Sequence, residues 1–86
     1  MSARDDVRRL AEELKTERDE LALRMHLARR EVRDEFAKLE RTWDHFRGRA
    51  EVIGHEMGDA AEDVGAALRL VATEIRRGYE RVRRLV

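Results

Sequence analysis

Apolar residues recur at intervals of three and four along most of the chain: Val7, Leu10, Leu14 and Leu21, then Met25, Ala28, Val32, Phe36, Leu39, Trp43, Phe46, Ala50, Ile53 and Met57. That spacing lines one face of an α-helix and has the heptad character of a coiled coil. No stretch alternates with period two long enough to make a strand. Ser2 followed by Asp5 reads as an acidic capping box, which starts a helix there, and Asp59 with Glu62 repeats the pattern just after Gly54 and Gly58. The pattern predicts a first helix over about 3–53, a turn over about 54–58 and a second helix over about 59–86, whose stripe runs Ala61, Val64, Leu68, Val71, Ile75, Tyr79, Val82, Val86.

The first helix changes register once. Val7, Leu14, Leu21 and Ala28 are strict sevens whose companion positions decay from Leu10 to Glu17 and Arg24, and from Met25 a second set of sevens takes over. A switch near residues 25–36 resembles a stutter in the heptad count. A change of register often means a change of neighbour.

Charge supports a new helix start near 59. Residues 51–63 hold five acids and no arginine or lysine, whereas residues 69–86 hold six arginines against Glu74 and Glu80, the order a helix dipole favours. In a hairpin turning at 54–58, positions whose numbers sum to about 112 lie level. This sets Trp43 and Phe46 against Ala66, Ala67 and Leu68, and Phe36 against Ile75 and Tyr79, so large rings meet smaller residues. The arms are unequal, roughly 75 Å and 42 Å, so residues 3–25 have no partner within the chain and are expected to pack on a second copy. The competing reading is one continuous helix roughly 125 Å long, because the stripe crosses the turn without losing phase. The self-association seam is read as Leu14, Leu21, Val32, Phe36, Leu39, Trp43, Phe46, Val64, Leu68, Val71, Ile75 and Val82, building an antiparallel coiled coil or four-helix bundle as a homodimer or tetramer.

Composition narrows the function classes. The chain has 86 residues, no proline and no cysteine, and its 19 basic and 19 acidic residues cancel, so the basic balance typical of nucleic-acid binding is missing. Of its 36 hydrophobic residues 11 are alanine, which leaves 25 larger side chains for a core and makes oligomerisation the expected supplement. No run approaches the length of a membrane span and the charged start has no signal-peptide apolar region, so a cytoplasmic location is expected.

No motif points to catalysis. His55-Glu56-Met57-Gly58-Asp59 resembles the helical zinc-protease motif, but aspartate stands where the second histidine belongs and a glycine interrupts the spacing two ligands need. Glu51, His55, Asp59 and Glu62 share a face only if the helix is unbroken, where they could hold a divalent cation weakly. His26 and His45 have no histidine or cysteine at ligand spacing, and the glycines do not form a phosphate loop. No catalytic residue, cofactor or metal site is assigned. Trp43 with Phe36 and Phe46 at helical spacing is core rather than ligand pocket. The binding candidate is the C-terminal run, where Arg76, Arg77, Arg81, Arg83 and Arg84 sit opposite Ile75, Tyr79, Val82 and Val86. This is the layout of a helix lying on an anionic membrane, docking in a partner's groove, or simply capping its own dipole.

Gly58-Asp59-Ala60-Ala61-Glu62-Asp63-Val64, with Ala66-Ala67-Leu68 and Tyr79-Glu80-Arg81-Val82, resembles the second helix of small bacterial coiled-coil proteins, many of which carry tryptophan where Ala61 stands. The resemblance covers residues 58–86 and implies an accessory or structural role without catalytic residues. The function expected is a non-enzymatic coiled-coil structural or protein-interaction module acting through self-association, or through another helical protein. The alternative is a peripheral anionic-membrane or stress-associated surface binder using helix 68–86.

Overall fold

The computed structural model describes residues 3–53 and 59–86. Among them the chain forms three α-helices, α1 (Ala3–Arg24), α2 (Arg30–Ile53) and α3 (Asp59–Leu85), with one turn of 3-10 helix at Met25–Leu27. The fold is all-α, as the periodicity predicts. The second predicted helix matches α3 closely, whereas the expected turn at 54–58 lies outside the described residues.

The predicted first helix over 3–53 is instead two helices, α1 and α2, separated by a reversal. No glycine or proline marks it. Ala28 takes an extended conformation (φ −83°, ψ 152°), and its N–H donates to the Met25 carbonyl at 3.3 Å. The Arg29 carbonyl then accepts from the N–H groups of Val32 (3.1 Å) and Arg33 (3.0 Å), which begins α2. The reason for the break is tertiary. An unbroken helix leaves Val7, Leu14 and Leu21 in water, whereas folding α1 back buries all three to 1% exposure or less. Burying three such side chains contributes about 5–9 kcal/mol, against about four lost backbone hydrogen bonds at about 1 kcal/mol each. The register change near residue 25 is therefore a change of direction.

Two ion pairs set the orientation of α1. Arg69 meets Asp6 at 3.3 Å and Arg76 meets Glu13 at 2.7 Å, both separated by 63 residues, so α1 and α3 run parallel with a fixed offset. Helix α2 runs antiparallel to α3: the rings of Phe36 and Tyr79 lie 6.4 Å apart, and Leu39 packs against Gly78. These pairs sum to 115 and 117 rather than the expected 112. The expected meeting of Phe36 with Tyr79 is present; the level is displaced by about one helical turn.

The result is a bundle measuring 45 × 18 × 16 Å, not a hairpin with a 75 Å arm. Its core draws on all three helices: Val7, Leu14 and Leu21; Val32, Phe36, Trp43, Phe46 and Ile53; Leu68, Ala72, Ile75, Tyr79 and Val82. The overhang expected over residues 3–25 is thus partnered within the chain by α3, and the case for self-association that rested on it falls away.

Candidate functional site

The twelve residues read as an intermolecular seam lie within this one bundle. Leu14, Leu21, Val32, Phe36, Trp43, Phe46, Leu68, Ile75 and Val82 are buried, and Leu39, Val64 and Val71 pack partly buried against them. They are the core of a single copy, so their pattern no longer argues for a second one. Val7, Ile53 and Tyr79, in the stripe but outside that seam, are buried with them, as is Ala72, whose small side chain carries little periodic signal.

The same burial changes how the C-terminal arginines can act. The apolar face of α3 is covered by α1 and α2, so α3 cannot lie flat on a membrane while the bundle stays closed. Of the five arginines singled out, Arg76 is engaged with Glu13, and Arg84 donates from Nε to the Glu80 carbonyl at 3.4 Å. Arg77, Arg81 and Arg83 are exposed.

Two surface features remain. The first is a groove of about 510 Å³ between α1 and α2. Both helices direct their large side chains at α3, and where they face each other they present Ala11 and Ala50. Trp43 and Ile53 complete its floor. The rim carries both signs: Arg4, Arg8, Glu12 and Lys15 on α1, with Arg47 and Glu51 on α2. The groove closes toward the reversal, where Arg18 reaches across α1 and grips Glu40 of α2 through Nε at 2.8 Å and Nη2 at 2.6 Å. Hydrogen bonds to Glu40, then to Asp19, hold the guanidinium charged and raise its pKa further above its ordinary range. Bonds from Arg18 and then Lys15 lower the Asp19 pKa in turn.

Beside this clasp the interior is imperfectly satisfied. The Tyr79 hydroxyl is buried with no hydrogen-bond partner among the described residues, and Glu17 Oε2 is in the same condition. Burial first, and the Glu40 carboxylate second, push the Tyr79 pKa well above its ordinary value.

The second feature is the pole of the bundle where α1 ends, the chain reverses and α3 ends. With the 63-residue offset, Leu23 lies level with Val86. Four leucines fall outside the stripe (Leu23, Leu27, Leu70 and Leu85), and all four are exposed. Three of them are at this pole, with Leu27 96% exposed at the tip of the reversal. Their off-stripe position was the sequence signal for this surface.

The His55-Glu56-Met57-Gly58 string lies outside the described residues, and with it the proposed grouping of Glu51, His55, Asp59 and Glu62. Among the described residues no three His, Cys, Asp or Glu side chains cluster to hold a metal ion. His26 and His45 are exposed. No described helix is long and apolar enough to cross a membrane. No family model matches the chain, and neither a curated protein nor a solved structure matches it.

Proposed function

We propose that the chain is a non-enzymatic helical interaction module, cytoplasmic, that associates with a second copy of itself through the groove between α1 and α2. The observation that carries this reading is the groove itself: an apolar floor of Ala11, Ala50, Trp43 and Ile53 flanked by charges of both signs. From Arg4 to Lys15 it follows α1 for about 16 Å, the span of a helix ridge rather than of a point ligand. Small residues on the floor let a neighbouring backbone come close. A two-fold interface pairs one patch with itself, so it must be self-complementary, and a rim holding Arg4, Arg8, Lys15 and Arg47 beside Glu12 and Glu51 meets that condition. The absence of net charge removes the long-range repulsion that opposes assembly.

Sedimentation equilibrium across a concentration series tests the proposal. A dimer that Ala50→Arg dissociates, with the far-UV helix signal unchanged, is the expected result. A monomer at every concentration, or a dimer indifferent to both Ala50→Arg and Ala11→Arg, refutes it. Capture of a different helical protein by the same groove would replace the second copy as the occupant.

A further inference from the structure

We propose that the pole formed by the α1–α2 reversal and the end of α3 is a docking tip for anionic lipid bilayers, inserting Leu27 with Leu23 and Leu85 while its arginines engage the headgroups. It uses a different surface from the groove and stands independently of it.

Charge carries the first half of the argument. Residues 23–33 contain Arg24, Arg29, Arg30 and Arg33 against Glu31 alone, and residues 81–86 add Arg81, Arg83 and Arg84 with no acid. Glu20 lies level with Arg83 by the 63-residue offset, and Asp34 and Glu35 lie level with Arg81, so this end gathers seven arginines against four carboxylates, a net charge of three positive in a chain whose total is zero. None of the seven is in an ion pair among the described residues, whereas elsewhere on the bundle Arg18, Arg69 and Arg76 are each paired with a carboxylate of another helix. The opposite pole shows no such excess: residues 3–9 and 47–53 each carry one net positive charge, and residues 59–63 carry three negative ones.

The exposed leucines carry the second half. One exposed leucine is ordinary, and turns favour small polar residues, yet Leu27 occupies the reversal 96% exposed, with Leu23 at 74% and Leu85 at 63% close to the same level. Apolar side chains projecting from a convex, positively charged end suit an interface that is soft, apolar beneath and anionic above. A single-stranded nucleic acid would ask for exposed aromatics to stack its bases, and Tyr79 is fully buried, while a duplex held through its phosphates would leave the exposed leucines without a role. A rigid acidic protein groove would ask for apolar side chains sharing one helix face, whereas these come from the end of α1, the reversal and the end of α3.

The test is flotation of the whole chain with phosphatidylcholine vesicles containing phosphatidylglycerol, against phosphatidylcholine alone. Binding to the anionic vesicles only is expected. Leu23→Ser with Leu27→Ser should weaken it by about tenfold per leucine, without changing the melting temperature, since both side chains are exposed. Arg83→Gln with Arg84→Gln should weaken it about fivefold per arginine. With brominated lipid, Leu27→Trp should be quenched while native Trp43, buried about 20 Å up α2 from the reversal, is not. Three results overturn the proposal: no flotation at low salt; flotation lost with the arginines but untouched by the leucines, which points to a generic polyanion site; or quenching of Trp43, which means that the bundle opens and α3 lies flat.

Discussion

Tyr79 is fully buried while its hydroxyl bonds to nothing described, so here the interior carries a polar atom whose hydration it has removed and not replaced. Leaving such a group unpaired costs about 1–3 kcal/mol. Tyr79→Phe keeps the ring against Phe36 and deletes the stranded atom, and should therefore stabilise the fold by about 1 kcal/mol in urea titration. Its pH signature is distinct. Because the folded-state pKa of Tyr79 is raised, the unfolded chain releases this proton first, so its share of stability is intact below about pH 10 and is lost as the pH climbs above that. The phenylalanine variant should lose that part of the alkaline decline. Glycine gives a second contrast. A Cβ at Gly48 meets nothing within 4 Å, so Gly48→Ala should add about 1 kcal/mol through helix propensity alone. A Cβ at Gly78 overlaps Leu39 Cδ2 and lies 3.2 Å from its Cγ. Displacing Leu39 costs about 1–3 kcal/mol, so Gly78→Ala should lose the gain and melt no higher than the native chain. Comparing melting curves of the two variants checks both.

At the scale of the element, the join between α1 and α2 rests on few groups: the backbone turn at Ala28–Arg29 and the Arg18–Glu40 clasp. Glu40→Gln keeps the shape but removes the charge from a two-point bond between side chains about one-third and one-quarter exposed, which should cost about 1 kcal/mol and lower the melting temperature by several degrees. This join is also where the sequence was least readable. Val32, Phe36, Leu39, Trp43 and Phe46, and again Leu68, Ile75 and Val82, keep a period that one helix can satisfy alone, so their burial was legible. Met25-His26-Leu27-Ala28-Arg29 contains no residue that ends a helix locally. Its conformation is decided by what Val7, Leu14 and Leu21 gain elsewhere, and only the change of register hinted at it. The groove was hidden for a related reason: Ala50 sits in the stripe as an ordinary apolar position, and nothing local says that α1 fails to cover it.

For the whole molecule, folding α1 inward lets a small core serve all three helices, so the shape is short for the number of residues. Small-angle scattering at low concentration should give a maximum dimension close to the 45 Å length of the bundle plus hydration, far below the roughly 75 Å of a long hairpin. A concentration series on the same sample tests the proposed groove-mediated dimer, which would register as doubled mass. The two proposed surfaces also separate in space. The groove occupies the half of the bundle away from the reversal and the arginine-rich pole is at the other end, so a dimer formed through one leaves the other open.

The 63-residue offset between α1 and α3 also has a kinetic meaning. Phe36 meets Tyr79 across 43 residues of chain, a shorter loop to close than the one that brings Asp6 to Arg69. Since α1 leans mainly on α3, it gains little until α2 and α3 have paired to give it a surface. The transition state should therefore contain the α2–α3 hairpin with α1 still undocked. Val7→Ala and Leu14→Ala should mostly speed unfolding, while Phe36→Leu should mostly slow folding. On that order, the segment made first would be the last to find its place.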